Sequence, residues 1–241
     1  MRIFLYKIKL LDPLFYAREG LSESFTPPYL HATAVNLAAK SALNLDPRDQ
    51  PLLVSDENGG RNTPRYHNSL VSIDFYFTPA RLITPLRYQP EITKGETDGF
   101  LVMTGRSDQG KPLKAGTLNY LPPESEFEGY LITKKDYTWP RIMRLGTFRG
   151  KVKLILKQLD RMRAVKEKQT LSHPVDPLVT SVKRGIMINI FPYPIVDNVQ
   201  SDHAIAGYLE QKRFPDIVAF PDEWELPTSE ILQTGKKAVI V

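Results

Sequence analysis

The most informative stretch of the chain is PRIMRLGTFRGKVK, residues 140–153, because it combines positive charge, two glycines and an alternating apolar pattern. Residues 141–153 contain five basic side chains and no acidic one. Gly146 and Gly150 permit backbone conformations and close approaches that a Cβ would hinder, and apolar residues occupy every second position from 151 to 156, as in a strand. The stretch therefore predicts a turn that enters a sheet and presents cations, which suits a phosphate-bearing polyanion.

Within this stretch, the segment GTFRGKV at 146–152 invites comparison with a nucleotide-binding P-loop. The spacing between its glycines is one residue short, and Val152 stands where a P-loop has the hydroxyl that binds magnesium. We therefore exclude a P-loop nucleotidase. Two interpretations remain open: a polyanion site, and a hairpin whose cations are only solvated.

Composition narrows the possible functions. The chain has 241 residues, a formal net charge of +5 and no Cys, which excludes disulfides, thiolate catalysis and cysteine zinc sites and suits a reducing cytoplasm. No convincing metal, serine-nucleophile or paired-carboxylate motif is present, so we expect no catalytic residues, no metal and no cofactor. No apolar run is long enough to span a membrane, and Lys7 and Lys9 make the N-terminus a poor signal peptide, so a cytoplasmic protein without a membrane partner is expected.

Hydrophobic periodicity predicts a chain of strands with few helices. The first strand begins at the N-terminus, with Phe4, Tyr6, Ile8 and Leu10 on one face. A helix follows, with Thr26 as N-cap and two prolines in its first turn. The other expected elements are a strand that ends at Phe77, a basic helix or frayed loop at 159–168, a strand at 185–191, a short helix at 203–213 and a strand at 217–220.

Three further groups of residues have side chains suited to RNA, because Arg and Lys bind phosphates and aromatic rings stack on bases. Each group could equally serve the fold: as a polar loop, as packing at the start of a helix, or as a projecting hairpin. The groups are Arg61, Arg65, Tyr66, His67 and Asn68; Tyr29 and His31; and Lys111, Lys114, Asn119 and Tyr120.

Four short segments give the chain a resemblance to a known family. They are PYLH at 28–31, FYFTPA at 75–80, RLGTFRGK at 144–151 and HPVDPL at 173–178, and their order along the chain carries more weight than any one of them. With these segments the chain resembles the CRISPR-associated RAMP subunit of the type I-D Cascade complex, a member of the Cas-five family.

The resemblance implies an α+β fold: a ferredoxin-like (RRM-related) core over residues 1–180 with an inserted thumb or hairpin at about 80–139, followed by a smaller β-rich extension at 181–241. It also implies a subunit that grips and caps the 5′ handle of a CRISPR RNA, contacts the backbone and large subunits of Cascade, and reaches target DNA near its flanking motif. The RNA-binding residues expected in the basic turn are Arg141, Arg144, Gly146, Phe148, Arg149, Gly150, Lys151 and Lys153.

Two alternatives to RNA capping stay open. One is a metal-independent endoribonuclease that processes the CRISPR precursor, with His67 or His31 as general base. The other is a protein-only scaffold whose basic face docks an acidic partner. The acidic segment at 216–230, with five acids and no base, is expected to be a solvated surface or a protein contact, for example with the large subunit.

Overall fold

The computed structural model describes residues 1–16, 23–44, 74–94, 115–210 and 212–227, and this part of the chain is mostly β with one α-helix. The elements in chain order are β1 (Arg2–Leu10), β2 (Glu23–Phe25), β3 (Tyr29–Leu30), α1 (Ala32–Ala42), β4 (Phe75–Phe77), β5 (Ala80–Leu82), β6 (Gln89–Lys94), β7 (Ala115–Tyr120), β8 (Glu126–Thr133), β9 (Ile142–Leu145), β10 (Gly150–Gln158), β11 (Asp160–Ala164), β12 (Gln169–Thr170), β13 (Ile186–Ile188), β14 (Ile195–Asp197), β15 (Gln200–Ser201), β16 (Ala204–Tyr208) and β17 (Asp216–Ala219).

The main sheet is antiparallel and has the order β3-β5-β8-β1-β10-β9, with β4 also paired to β8. The first strand of the chain lies in its middle, because β1 pairs with β8 along one edge and with β10 along the other. The prediction of a strand at the N-terminus is therefore confirmed, and so is the turn that leads into β10.

Both faces of the main sheet are covered, but by different elements. Tyr6, Ile8 and Leu10 of β1 point into a core shared with α1, β9 and β10. Ile3 and Leu5 point the other way, into a second core that contains residues of β16, β17 and the segment up to Trp224. The alternation of β1 thus serves two cores, because successive side chains of a strand point to opposite faces.

Helix α1 is present as predicted, but its predicted start is wrong. Thr26 does not cap it: its hydroxyl donates to the carbonyl of Leu14 at 3.2 Å, while residues 29–30 form a strand paired with β5. His31 is the N-cap, and its Nδ1 accepts the backbone N–H of Thr33 at 3.1 Å. The two prolines thus precede a strand, and the extended backbone that prolines favour also suits that position.

The predicted helix or frayed loop at 159–168 and the predicted helix at 203–213 are wrong, since these segments contain β11 and β16. Within β11 only Met162 is buried, and the residues on either side of it are exposed. Strand β16 lies between β11 and β17 and is buried almost throughout. A short, continuously apolar strand cannot be told from a helix by periodicity, which explains that error.

Three further observations concern the predicted layout. Of the elements within 80–139, β5 and β8 lie in the main sheet, whereas β6 and β7 form a separate sheet with β2. The segment at 173–178 runs without regular structure except for a bridge from Val175 to Val196. The prediction of a solvated or partner-binding segment at 216–230 is wrong for its first residues, because β17 is buried and Asp216 pairs with Lys212 at 2.9 Å.

The division of the chain at residue 180 stays a prediction. Among the residues that are described, no helix has the length and apolar character needed to cross a membrane.

Candidate nucleic-acid interface

The basic turn, which we define as residues 146–149 between β9 and β10, has a backbone that few side chains tolerate. Gly146 has a φ of +78°, and Arg149 adopts a positive φ of 53° despite its side chain. The N–H of Arg149 donates to the carbonyl of Gly146 at 3.1 Å, and the Arg144 guanidinium donates to the carbonyl of Arg149 at 3.1 Å. One arginine thus braces the backbone that carries another.

The segment after β1 holds the basic turn in place through backbone contacts. The N–H of Thr147 donates to the carbonyl of Phe15 at 2.9 Å, and the N–H of Leu11 donates to the carbonyl of Lys151 at 3.0 Å. The N–H of Lys151 in turn donates to a carboxylate oxygen of Asp12 at 2.8 Å. The turn is therefore fixed to the centre of the main sheet and is more than the tip of an isolated hairpin.

The two glycines of the stretch differ in how much room they have. A Cβ on Gly146 would lie 2.8 Å from both the Leu14 side chain and the Phe15 carbonyl oxygen, a distance at which neighbours must move. A Cβ on Gly150 would lie 3.1 Å from the carbonyl oxygen of Pro13, which is tight but short of a clash. Gly146 is therefore the residue that the geometry requires.

The cations of the turn share one side of the hairpin. Lys151 lies directly across from Arg144, and both are exposed, as are Arg149 and Lys153. Residues directly opposite in an antiparallel pair have adjacent side chains, so these charges form one patch. Among the described residues no ion pair neutralises these four side chains. Arg141 is exposed next to them, and its carbonyl accepts the N–H of Leu154.

The positive patch ends where the sheet reaches β8. Lys9 of β1 is the partner of Lys153 in the register, but it forms an ion pair with Glu124. Lys7 lies 3.8 Å from Glu128. On this part of the main sheet the uncompensated charge therefore lies on β9, β10 and their turn.

An aromatic cluster, formed by Phe15, Tyr120 and Phe148, adjoins the cations. The ring of Phe148 stacks on that of Phe15 with centroids 5.9 Å apart and an interplanar angle of 25°, and it lies 6.2 Å from Tyr120. Phe15 and Tyr120 are buried, whereas Phe148 is 60% exposed. Burial, with a hydrogen bond to Glu91, raises the pKa of Tyr120 to about 12, so this residue is a neutral part of the cluster.

The structure brings together ten predicted residues at or near this patch and places Tyr29 and His31 elsewhere. Asn119 is buried beside Tyr120 in β7, with its backbone carbonyl accepting the N–H of Thr26. Tyr29 is half-buried and donates to Asp197 at 3.2 Å, and His31 is buried at the start of α1. Seven predicted residues lie outside the described residues: Arg61, Arg65, Tyr66, His67, Asn68, Lys111 and Lys114.

Sequence reasoning missed the segment from Asp12 to Phe15, which positions the basic turn. The dipeptide at 12–13 carries the signal of a loop, but nothing local indicates a partner 139 residues away. It assigned no role to Lys7 and Lys9, which share the face of the cations on β10 but form ion pairs with acidic residues. The alternation of β1 places these lysines opposite its apolar residues, and that was the available signal.

The described residues include no group of three or more His, Asp or Glu side chains that could hold a metal ion. What the patch offers chemically is fixed positive charge, an exposed aromatic ring and a rigid backbone. These are the elements of phosphate and base contact.

Comparisons with known proteins give a family match and distant structural neighbours. A sequence model of the family described as type I-D CRISPR-associated protein Cas5/Csc1 matches residues 1–225. No curated protein shows a significant match. Similar solved structures include cryo-EM structures of the type III-B Cmr-beta bound to cognate target RNA, with AMPPnP (state 1) and without it. Both matches have 11% identity and a TM-score of 0.41; the first covers 83% of this chain and 86% of that chain, the second 89% and 86%.

The structural likeness is too distant to support a conclusion. The family match, in contrast, spans nearly the whole described chain and includes the basic turn. The chain therefore belongs to the type I-D CRISPR-associated Cas5/Csc1 family, which implies a subunit of a CRISPR effector complex that binds CRISPR RNA.

Proposed function

We propose that this protein is the non-catalytic subunit that caps the 5′ handle of the CRISPR RNA in a type I-D Cascade complex and helps to assemble its large subunit. The carrying observation is the positive patch on β9, β10 and the basic turn, whose exposed cations have no acidic partner in the described chain and whose backbone is tied to β1. The proposed setting is a prokaryotic cytoplasm.

The chemistry of the patch suits the backbone of a single strand. Arg144, Arg149 and Lys151 can each contact a phosphate, and such contacts release counterions and make affinity fall with salt. Contacts to phosphates position the RNA without reading its sequence, so handle specificity must come from other groups. Because the turn is already anchored, RNA binding loses less conformational entropy than it would with a flexible loop.

The strand order also supports a ferredoxin-like origin for the core. In the main sheet β1 lies between β10 and β8, and β4 and β5 pair with the other edge of β8. This is the strand order of a split βαβ fold, and α1 lies between β1 and β4 in the chain. Between β8 and β10 the described chain has β9 and the basic turn in place of a second helix. The basic turn leads directly into β10, so in chain order it lies where that helix would end.

The capping function can be tested by removing charge from the turn. In the triple variant Arg144→Gln, Arg149→Gln and Lys151→Gln, affinity for handle RNA should fall, and the slope of log affinity against log salt should become shallower by about 2, from roughly 0.7 per lost contact. The matched control is Arg163→Gln, Lys166→Gln and Lys168→Gln, which removes the same charge from exposed positions away from the turn.

Equal effects of the two triple variants would mean that only net charge matters, and unchanged binding in the turn variant would refute the proposal. The target-DNA and protein contacts of the subunit are part of the same proposal. They are tested by whether the turn variant still enters the complex with its large and backbone subunits.

The endoribonuclease remains the alternative. His31 is buried, its Nδ1 caps α1, and burial lowers its pKa to about 4, so it is poorly placed as a base, while His67 lies outside the described residues. Incubation of purified protein with repeat RNA in EDTA separates the two functions. Site-specific cleavage that His67→Ala abolishes would establish the enzyme and overturn the non-catalytic assignment.

A further inference from the structure

The exposed ring of Phe148 is the feature of the interface that phosphate binding does not explain. It is 60% exposed at the tip of the basic turn, although its neighbours in the aromatic cluster are buried. Phe15 stacks on one side of this ring, so the exposed surface of Phe148 is the part that Phe15 does not cover. An apolar ring kept in water costs free energy that a partner could recover.

The ring is held in place by its surroundings. The residue before it donates its N–H to the Phe15 carbonyl at 2.9 Å, and Gly146 and Arg149 fix the turn through their positive φ angles. Phe15 and Tyr120 pack against each other with centroids 5.3 Å apart and form the support beneath Phe148. A supported ring is presented at little further cost in conformational entropy.

The neighbours of the ring identify the partner. Arg149 follows it directly, and Arg144 and Lys151 pair across the hairpin beside it. Cations that hold phosphates next to an aromatic face are the combination that binds single-stranded nucleic acid, in which an unstacked base covers the ring while its backbone lies along the charges. An apolar protein partner would instead have to bury these cations, which carries a desolvation cost.

Building on the proposed function, we infer that Phe148 is a stacking platform for one unpaired nucleobase of the bound RNA, supported by Phe15 and Tyr120. Arg149 and Lys151 hold the phosphates on either side of that base. The platform adds affinity at one nucleotide and is insensitive to salt, unlike the phosphate contacts. Stacking tolerates any base, because every base has a π face, so this site fixes register more than sequence.

The test compares Phe148→Ala, Phe148→Leu and Phe148→Trp in the full chain, with binding of the 5′ handle RNA as the readout. Phe148→Ala should weaken binding roughly 5- to 150-fold, the range for loss of one base–aromatic stack, with an unchanged salt slope. Phe148→Leu should lose nearly as much, because it keeps an apolar side chain but no ring. Phe148→Trp should bind as well as the wild type.

An abasic scan of the handle locates the base. Abasic substitution at one position should reproduce the loss seen in Phe148→Ala, and combining the two should add little, since both remove the same interaction. Additive losses at every position would overturn the inference, as would a Phe148→Leu variant that binds normally. Thermal unfolding of each variant confirms that it is folded.

The outcomes separate this inference from the proposed function. If the charge variant of the turn loses RNA while Phe148→Ala does not, capping stands and the platform is refuted. If the charge variant binds normally, capping itself fails. If Phe148→Ala binds RNA normally but fails to assemble with the other subunits, the ring contacts protein and the inference is wrong.

Discussion

Replacing Gly146 by Ala should destabilise the protein much more than the same change at Gly150. At Gly146 the new Cβ would lie 2.8 Å from the Phe15 carbonyl oxygen. The turn would also hold the alanine in a left-handed backbone conformation, with φ near +78°. The left-handed conformation costs about 1–2 kcal/mol and the crowding about 1–3 kcal/mol, so we expect a loss of about 2–5 kcal/mol. At Gly150 the contact is 3.1 Å, and φ lies outside the left-handed region, so we expect a change within about 1 kcal/mol.

Thermal unfolding of the purified chain measures the difference. For a chain of this size 1 kcal/mol shifts Tm by about 2–4 °C, so Gly146→Ala should unfold roughly 4–20 °C below the wild type and Gly150→Ala within about 4 °C of it. Gly146→Asn is a useful intermediate, because Asn tolerates a left-handed backbone but still carries a Cβ. Equal melting temperatures for the two alanine variants would refute the account of the turn.

The remaining predictions concern buried polar groups. Burial lowers the pKa of His31 and of His173 to about 4, below the usual 6.5, so between these pH values the unfolded chain binds protons that the folded chain does not. The free energy of unfolding should therefore be constant above pH 6.5 and fall by about 3 kcal/mol per histidine as the pH drops towards 4. His173→Asn should reduce this pH dependence in urea titrations at pH 7, 5.5 and 4.5. Arg81 donates to both carboxylate oxygens of Asp197, and a double-mutant cycle with Arg81→Gln and Asp197→Asn should give a coupling of about 1 kcal/mol; a value near zero would mean that the pair contributes nothing to stability.

The ion pair deserves that test because it joins β5 of the main sheet to β14. Asp197 is nearly buried, which by itself would raise its pKa, yet the hydrogen bonds from Arg81 and from the N–H of Asn198, with the guanidinium charge, hold that pKa below its usual value. Tyr29 also donates to Asp197, so one carboxylate ties together the edge strand, β5 and the later part of the chain.

Strands whose signal is local could be predicted from the sequence. In β10 and the second half of β1 one face carries lysines and the other carries apolar residues, and this alternation specifies both the strand and its orientation. The basic turn was predictable for a similar reason, because glycines and cations follow one another within a few residues.

The rest depends on contacts between distant parts of the chain. Residues 204–208, AIAGY, contain small residues that pack on both sides in β16, and no periodicity distinguishes such a segment from a helix. The stack of Phe148 on Phe15 and the hydrogen bond from Lys151 to Asp12 join segments more than 130 residues apart. The candidate interface was thus found from its charges, while its support could be seen only in the fold.

The position of β1 has a consequence for how the protein is made. This strand is synthesised before both of its neighbours, which lie at 126–133 and 150–158, so a ribosome adding about 5–20 residues per second needs roughly 7–30 s to complete them. During that interval an amphipathic strand with two open edges is exposed to aggregation or to a chaperone. Its pairing is complete only after residues 146–149 have emerged, so the nascent chain acquires its central strand and its candidate RNA contact together.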